Sequence, residues 1–186
     1  MILLVGLGNP TPDSKENRHN IGFKIIDAIN QKFSLSKQKP KFKGLLTTGN
    51  ILNKKVYAIK PLTFMNNSGV CIRELIEYFK IGVEDIIVFH DDLDIDFGKI
   101  KAKIGGSSAG HNGIASIDKF VGKDYSRVRI GIGKPDSKIS TSDYVLNNFN
   151  EEEKEHLDKI TENIIDSLSI LIDKKLDLFS STVNNK

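Results

Sequence analysis

The stretch MILLVGLGNPTPDSKENRHNIGFKIIDAINQKF, residues 1–33, contains the transition that decides the fold. Its first five residues form an apolar run typical of a buried strand, and a glycine-rich turn follows at Gly6. The second half repeats apolar residues at helical spacing, at Ile21, Ile25, Ile29 and Phe33. Because the apolar face of such a helix must pack on another element, this stretch predicts an α/β protein.

The rest of the chain continues the alternation of strands and helices. GLLTTGNIL and KKVYAIKPL indicate a strand pair that turns at Asn53 and Lys54, and DIIVFH and RVRIGIG indicate further strands. Helices are predicted for NNSGVCIRELIEYFKIG, which stops at Gly82, for HNGIASIDKFVG, and for a long amphipathic segment from Glu151 through Leu171. We therefore predict one domain over residues 1–186, of class α/β, with a mixed twisted sheet flanked by helices on both faces, as in phosphorylase/hydrolase-like folds.

The composition excludes several classes of protein. A formal net charge of +3 over 186 residues is too small by itself to indicate a nucleic-acid-binding protein. Cys71 is the only cysteine, so no disulfide can form within the chain and a reducing, cytoplasmic location is expected. No apolar run approaches the ~20 residues that cross a bilayer, and MILLV lacks the basic flank of a signal peptide. We expect no association with a membrane.

The glycine-rich turn matches a dinucleotide-binding loop only at its start. Gly6 and Gly8 fit the first two glycines of that fingerprint, but Thr11 stands where the third belongs. Pro10 and Pro12 then interrupt the turn before any helical pattern begins. A phosphate-binding P-loop is excluded because no G-K-S/T sequence follows. The sequence therefore predicts no nucleotide cofactor.

Three of the four histidines fall where functional loops are expected. His19, His90 and His111 lie at strand ends or helix starts, whereas His156 belongs to an acidic helix. Asp91 stands at the end of a predicted buried strand. A carboxylate in that position can fix the tautomer of a histidine and stabilise its charged form, so the pattern is typical of general-base catalysis.

The spacing of the same residues does not match the common metal-binding motifs. DLDIDFG resembles a calcium loop, but Phe97 occupies the position that needs glycine and Lys103 the position that needs glutamate. The histidines and aspartates offer zinc ligands, yet neither H-E-x-x-H nor C-x-x-C spacing is present. We expect no metal ion.

A lysine-rich segment, GKIKAKIGG, predicts a strand with one basic face. Lys99, Lys101 and Lys103 alternate with apolar residues, so in an extended strand they share a face. They predict a contact with a phosphate backbone, with Arg127 and Arg129 on a later strand as neighbours. The alternative is a soluble edge strand, because lysine also protects exposed sheet edges.

Six blocks occur in order along the chain: GLGNP, NRHNIGF, TFMNNSGV, HDDLD, GGSSAGHNGI and RVRIGIGKP. In this order and at these spacings they resemble the bacterial peptidyl-tRNA hydrolase family, over essentially the whole chain. The resemblance implies a small cytosolic monomer with a mixed sheet between helices. It also implies hydrolysis of the ester between a peptide and the 3'-terminal ribose of tRNA, without metal or cofactor, which recycles tRNA from aborted translation.

The resemblance also implies roles for individual residues. His19 matches the catalytic base, and Asp91 matches the carboxylate that orients it. The substrate-binding candidates around this pair are Asn9, Phe64, Met65, Asn66, His111 and Asn112. Asparagine amides both donate and accept hydrogen bonds, so they can hold a peptide backbone, fix a water molecule and stabilise an oxyanion.

The chain departs from the family pattern at three positions. Ser14 and Asn17 stand where the family usually has an aromatic residue and a threonine, and Ala115 stands where a basic residue is common. These departures concern substrate binding and leave His19 and Asp91 unaffected.

Two rival functions come from other classes of protein. A non-catalytic tRNA-binding module would explain the lysines but not the three asparagines and the histidine–aspartate pair. A nucleotide-dependent enzyme would need the fingerprint that this chain lacks.

Overall fold

The computed structural model describes residues 1–186, and its strands form one sheet. The strands are β1 Ile2–Gly6, β2 Lys39–Lys41, β3 Gly44–Ile51, β4 Lys54–Pro61, β5 Ile86–Asp92, β6 Ile100–Ile104 and β7 Ser126–Gly131. Their order across the sheet is β2-β3-β4-β1-β5-β7-β6. The central strands β4, β1, β5 and β7 are parallel, and the outer strands pair antiparallel. The predicted mixed sheet is confirmed.

Helices cover both faces of the sheet, as predicted. They are α1 Ile21–Lys32, α2 Ser68–Phe79, α3 Asn112–Val121, α4 Thr141–Leu146, α5 Glu151–Asp166, α6 Leu168–Ile172 and α7 Leu176–Asn184. Successive residues of β1 enter opposite cores, with Leu3 packing on the side of α2 and α3 and Leu4 on the side of α1 and α5–α7. No helix combines the length and the apolar character needed to cross a membrane.

The glycines of the first turn let α1 approach β1 closely. A Cβ atom added to Gly6 would lie 2.2 Å from the carbonyl oxygen of Gly22, so no larger residue fits there. Between these glycines the chain forms two short 3-10 turns, Pro12–Ser14 and Arg18–Asn20. No helix N-terminus therefore follows Gly8 directly to hold a phosphate. The turn instead presents Asn9 and His19 at the carboxyl edge of the parallel strands.

Three boundaries differ from the predicted ones. α2 ends at Phe79 rather than at Gly82, because Lys80 adopts a left-handed conformation with φ 56° that terminates the helix. The predicted long helix is interrupted at Ser167, which separates α5 from α6. The hairpin between β3 and β4 turns at Leu52 and Asn53, whose φ angles of 50° and 64° suit a two-residue turn.

The strand β2 and the helices α4 and α7 were not predicted. β2 has the sequence Lys-Pro-Lys and all three residues are exposed, so no apolar alternation marks it. α4 has no buried residue, and its position depends on contacts with distant parts of the chain.

Candidate active site

Asp91 lies at the centre of a hydrogen-bonded cluster at the carboxyl end of β5. The residue is only 2% exposed, and its carboxylate contacts two histidine rings. Nδ1 of His19 lies 2.8 and 3.0 Å from the two carboxylate oxygens, and Nε2 of His111 lies 3.0 Å from Oδ1. Burial by itself would raise the pKa of this carboxyl, but the two histidines hold it well below its usual range. Asp91 is therefore an ionised acceptor.

The hydrogen bonds of His111 fix its tautomer. Its Nδ1 accepts from the backbone N–H groups of Gly113 at 3.2 Å and Ile114 at 3.3 Å, at the start of α3. A nitrogen that accepts these bonds carries no proton, so the proton resides on Nε2 and is donated to Asp91. Both nitrogens of His111 are thus engaged, and neither is left to take a proton from a substrate.

His90 supports the main chain of the same cluster. Its Nδ1 donates to the carbonyl oxygen of Asp91 at 2.8 Å. Burial, followed by the nearby His111, lowers the pKa of His90 to about 3, so the ring is neutral near pH 7. Its Nε2 is buried and has no partner.

His19 has a ring nitrogen that is free to accept a proton. Because Nδ1 donates to Asp91, the lone pair resides on Nε2, which has no partner within the protein. His19 lines a cavity of about 420 Å³. The sequence singles out three histidines. Both nitrogens of His111 are engaged in hydrogen bonds, and the unpaired Nε2 of His90 is buried on a ring whose pKa burial lowers to about 3, so His19 is the histidine suited to act as a base there.

The cavity brings together every catalytic and substrate-binding residue that the sequence predicts. Its walls contain Asn9, His19, Phe64, Met65, Asn66, Asp91, His111 and Asn112. These residues come from the turns after β1 and β4, from the end of β5 and from the start of α3. The parallel strands β4, β1 and β5 direct their carboxyl ends to one edge, and for that reason residues far apart in sequence meet there.

Asn9 is held so that its amide NH₂ group has no partner within the protein. Its Oδ1 accepts from the backbone N–H of Met65 at 2.9 Å. Its main chain exchanges hydrogen bonds of 2.8 and 2.9 Å with the side chain of Asn20. The side chains of Asn66 and Asn112 are exposed and also line the cavity. The site therefore combines one general base with three amides able to donate hydrogen bonds.

Phe64 stands at the mouth of the cavity in a strained conformation. Its φ of 60° and ψ of 159° fall in a region that glycine normally occupies. Its side chain is 53% exposed, so the ring presents an apolar face to solvent. This arrangement suits contact with a flat ligand group rather than packing within the core.

The same cluster includes atoms that could hold a metal ion. Ligand atoms of His19, Asp91 and His111 lie within 4.8 Å of one another. A metal on Nε2 of His111 would displace the proton there and leave the lone pair of Nδ1 still accepting from two amides, while Asp91 would lose a hydrogen bond. In the observed pattern, Asp91, Nδ1 of His19 and both nitrogens of His111 are satisfied by hydrogen bonds alone.

Comparison with known proteins identifies the relationship. A sequence model of the peptidyl-tRNA hydrolase family matches residues 3–186. The chain belongs to the peptidyl-tRNA hydrolase family. It is 78% identical to the peptidyl-tRNA hydrolase of Pelagibacter ubique strain HTCC1062 over 186 residues, the full length of both chains. It is 45% identical to that of Ehrlichia canis strain Jake, across 98% of this chain and 94% of the relative.

A solved structure of the family superimposes closely. The crystal structure of peptidyl-tRNA hydrolase from Acinetobacter baumannii matches with a TM-score of 0.92 at 34% identity, covering 99% of this chain and 94% of that one. The family resemblance and fold class predicted from the sequence are confirmed.

Of the five basic residues predicted to contact tRNA, four are at least partly exposed to solvent and one is buried. Lys99 and Lys101 are exposed, and Lys103 and Arg129 are partly exposed. Arg129 donates from Nε to Asp92 at 2.8 Å, and its terminal nitrogens have no partner within the protein. The lysines of β6 and the arginines of β7 share one face because the strands pair in register.

Arg127 does not lie where the sequence led us to expect. It is only 1% exposed, and its guanidinium donates to Asp118 at 2.8 Å and to the carbonyl oxygen of Ser107 at 3.0 Å. A cation paired in this way inside the protein does not reach a phosphate group. Alternation placed it on the basic face correctly, but α3 covers that part of the face.

Sequence reasoning missed the residues that close the far wall of the cavity in this member of the family. α4 contributes Val145 and Leu146, among others, to the lining. Arg18 packs on α4 by stacking on Tyr144, with 4.2 Å between Cζ and the ring centroid, and an ion pair of 3.0 Å with Glu153 ties the same guanidinium to α5. The S-x-x-D pattern at Ser140 is a helix-start signal that could have revealed α4.

The three departures from the family pattern have simple structural settings. Ser14 is buried and its Oγ lies 2.6 Å from Oγ1 of Thr11, so it braces the turn where a stacking ring is usual. Asn17 is buried and its main chain forms a bridge with Asn148. Ala115 lies on the exposed side of α3.

Proposed function

We propose that this chain hydrolyses the ester between the peptide and the 3'-terminal ribose of peptidyl-tRNA, with His19 as the general base. The observation that carries the mechanism is the His19–Asp91 pair, whose free Nε2 belongs to a cavity lined by unpaired amides. The proposed catalytic groups all come from one chain, which is consistent with a monomer. Since translation releases peptidyl-tRNA in the cytoplasm, we propose that the enzyme acts there.

The proposed reaction has two steps. In the first, Nε2 of His19 takes a proton from water while the water oxygen attacks the ester carbonyl carbon, and Asp91 stabilises the imidazolium that forms. In the second, the tetrahedral intermediate expels the 3'-oxygen of the ribose, which takes the proton from Nε2. The products are a peptide with a free carboxyl group and a tRNA with a free 3'-hydroxyl.

Asparagine amides supply the hydrogen bonds that the developing oxyanion needs. Oδ1 of Asn9 accepts from the N–H of Met65, and the NH₂ group of Asn9 has no partner. This group can therefore donate to the oxyanion without breaking an existing hydrogen bond. Asn66 and Asn112 are proposed to hold the substrate amide and the attacking water. Phe64 and Met65 are proposed to provide the apolar surface for the substrate, with His111 holding the start of α3 in position.

The exposed basic residues of β6 and β7 are proposed to bind the tRNA backbone. Lys103 lies near Arg129 and Arg127, and burial and these two cations lower its pKa. An edge-protecting role explains β6 less well, because α7 already covers that edge: Ser180 accepts from the N–H of Ala102 at 2.8 Å, and Asn184 pairs with Ile100.

The salt dependence of tRNA binding tests this assignment. Each lost phosphate contact reduces the slope of log affinity against log salt by roughly 0.7 to 0.9, so Lys101→Ala with Lys103→Ala flattens it by about 1.5. KM for tRNA substrates rises while kcat stays near that of the wild type, because these charges bind ground and transition states alike. Lys37→Ala with Lys39→Ala removes the same charge at the opposite edge and serves as the matched control. An unchanged slope in the first double variant would refute the assignment.

Hydrolysis of N-acetyl-aminoacyl-tRNA by the purified chain tests the function itself. The expected result is release of the N-acetyl-amino acid with multiple turnovers. Tight binding of the same substrate with no release would instead identify a tRNA-binding module without catalytic activity.

Metal chelation is expected to leave this activity intact. The proposed nucleophile is a water activated by His19, and an ester is reactive enough to need no Lewis acid. Enzyme treated with EDTA and then transferred to chelator-free buffer with fresh magnesium should match untreated enzyme, the magnesium being required for tRNA folding. Lost activity that returned only on addition of zinc would contradict the mechanism.

A further inference from the structure

A second cavity adjoins the catalytic one and shares Asn9 with it. This cavity, which we call the α1 groove, has a volume of about 560 Å³. One wall is α1, and the other includes Leu45 and Lys60, which face each other across β3 and β4. Leu62 lines the groove just before Phe64 lines the catalytic cavity, so the segment after β4 separates the two spaces.

The strand order places the α1 groove opposite the surface proposed for tRNA. His19 and Asp91 meet at the carboxyl ends of β1 and β5, near the middle of the sheet. The lysines of β6 lie at one edge, beyond β7, whereas the groove lies on the side of β4 and β3. An ester has two substituents that diverge from its carbonyl carbon. If tRNA extends toward β6, the acyl chain is directed toward the groove.

The charges along the groove fit a polyamide better than a phosphate chain. Lys24 pairs with Glu16 at 2.7 Å, and Lys60 pairs with Asp27 at 2.5 Å, so these cations are neutralised by neighbouring carboxylates. The two other charged residues of the lining, Lys15 and Asp158, are of opposite sign. Phe23 contributes an apolar wall, packed against Gly8, where an added Cβ would lie 2.7 Å from the ring. A surface of this kind accepts a neutral backbone with varied side chains.

The length of the groove matches a short extended peptide. α1 and the turn before it line the groove from Asn20 to Gln31, about 16 Å at 1.5 Å per residue. An extended chain advances about 3.3 Å per residue, so this distance corresponds to about five residues.

We propose that the α1 groove binds the peptide portion of peptidyl-tRNA, holding the residues that precede the esterified one. The inference rests on the proposed function, and it extends the substrate-binding surface beyond the catalytic cavity. It predicts that the enzyme recognises the length of the acyl chain.

Kinetics with two acyl lengths test the proposal. The substrates are N-acetyl-phenylalanyl-tRNA and N-acetyl-tetrapeptidyl-tRNA with the same carboxyl-terminal phenylalanine. Partial burial of apolar side chains in the groove is expected to raise kcat/KM about tenfold for the longer substrate. Ala28→Trp fills the groove from α1, and this ratio is then expected to fall to about one. Lys32→Trp adds the same ring to the same helix outside the groove and keeps the wild-type ratio.

The outcomes separate this inference from the proposed function. A ratio near one in the wild type, or an unchanged ratio in Ala28→Trp, would overturn the groove while hydrolysis of the short substrate still supported the function. Failure of the wild type to hydrolyse either substrate would overturn the proposed function and the groove with it.

Cross-linking of the wild type is a second test of the groove, and it does not depend on the folding of any variant. The probe is a tetrapeptide joined through a non-hydrolysable amide to 3'-amino-3'-deoxyadenosine, with benzoylphenylalanine at its amino end. Attachment near Gln31 or Leu45 is expected. Attachment confined to Val145 and Leu146, in the catalytic cavity, would overturn the proposal.

Discussion

Replacing His19 with alanine lowers kcat for peptidyl-tRNA hydrolysis by about 10² to 10⁴, because general-base catalysis contributes that much to the rate. Affinity for tRNA stays close to that of the wild type, since the ring contacts Asp91 and the cavity rather than the basic strand. Single-turnover rates and tRNA affinity at fixed salt are the two measurements. Free imidazole, which fits a cavity of about 420 Å³, restores part of the rate.

His156→Ala is the matched control for this change. His156 is exposed on α5, contacts Phe97 with 5.6 Å between ring centroids, and does not line the catalytic cavity. Its removal leaves kcat unchanged. If His19→Ala lost tRNA affinity in proportion to its rate, His19 would be a binding residue and not the base.

Replacing Asp91 with asparagine lowers kcat by less than the loss of His19, which removes the ~10² to 10⁴ that general-base catalysis contributes. An asparagine offers one acceptor oxygen where the carboxylate offers two, and its NH₂ group opposes the N–H of either His19 or His111. The variant also removes the charge that stabilises the imidazolium of His19. Some activity remains because the oxygen of the amide can still orient His19.

The pH dependence of stability provides an independent check on Asp91. Its folded-state pKa is depressed, so the stabilisation is fully present above the ordinary aspartate pKa of about 3.9 and is lost as the pH falls through the folded-state value. The difference in unfolding free energy between the wild type and Asp91→Asn therefore shrinks in acid. Asp94→Asn, at an exposed position, should change neither rate nor stability. Wild-type kcat in Asp91→Asn would show that another group orients the base.

Parts of the candidate site could be predicted because a short motif contains the functional residue and also places it in a turn or at a strand end. The chain NRHN presents His19 in a turn, and HDDLD ends a buried strand with Asp91, so a pair at one sheet edge follows from strand polarity. The α/β class followed similarly from apolar periodicity. Among the three histidines, only the family resemblance pointed to His19, because the hydrogen bonds that engage both nitrogens of His111 depend on the N–H groups of Gly113 and Ile114 reaching its Nδ1.

The burial of Arg127 could not be predicted from the local sequence pattern. Alternation assigns it to the face that carries Lys103, and the register of β6 and β7 agrees. Whether that face is open to solvent depends on α3, whose Asp118 pairs with Arg127 from a position outside the strand. A periodicity of two reports the face of a strand and contains no information on what covers it.

The sequence by itself determined the α/β class, most strands and helices, the family resemblance and the identity of the residues that meet in the cavity. These depend on side-chain spacing and on motifs within short segments. Only the tertiary structure decided the tautomers around Asp91, the burial of Arg127, the packing of Arg18 on Tyr144 of α4 and the presence of the α1 groove. Each of these arises from atoms that are distant along the chain, and their contacts are set by how helices pack on the sheet.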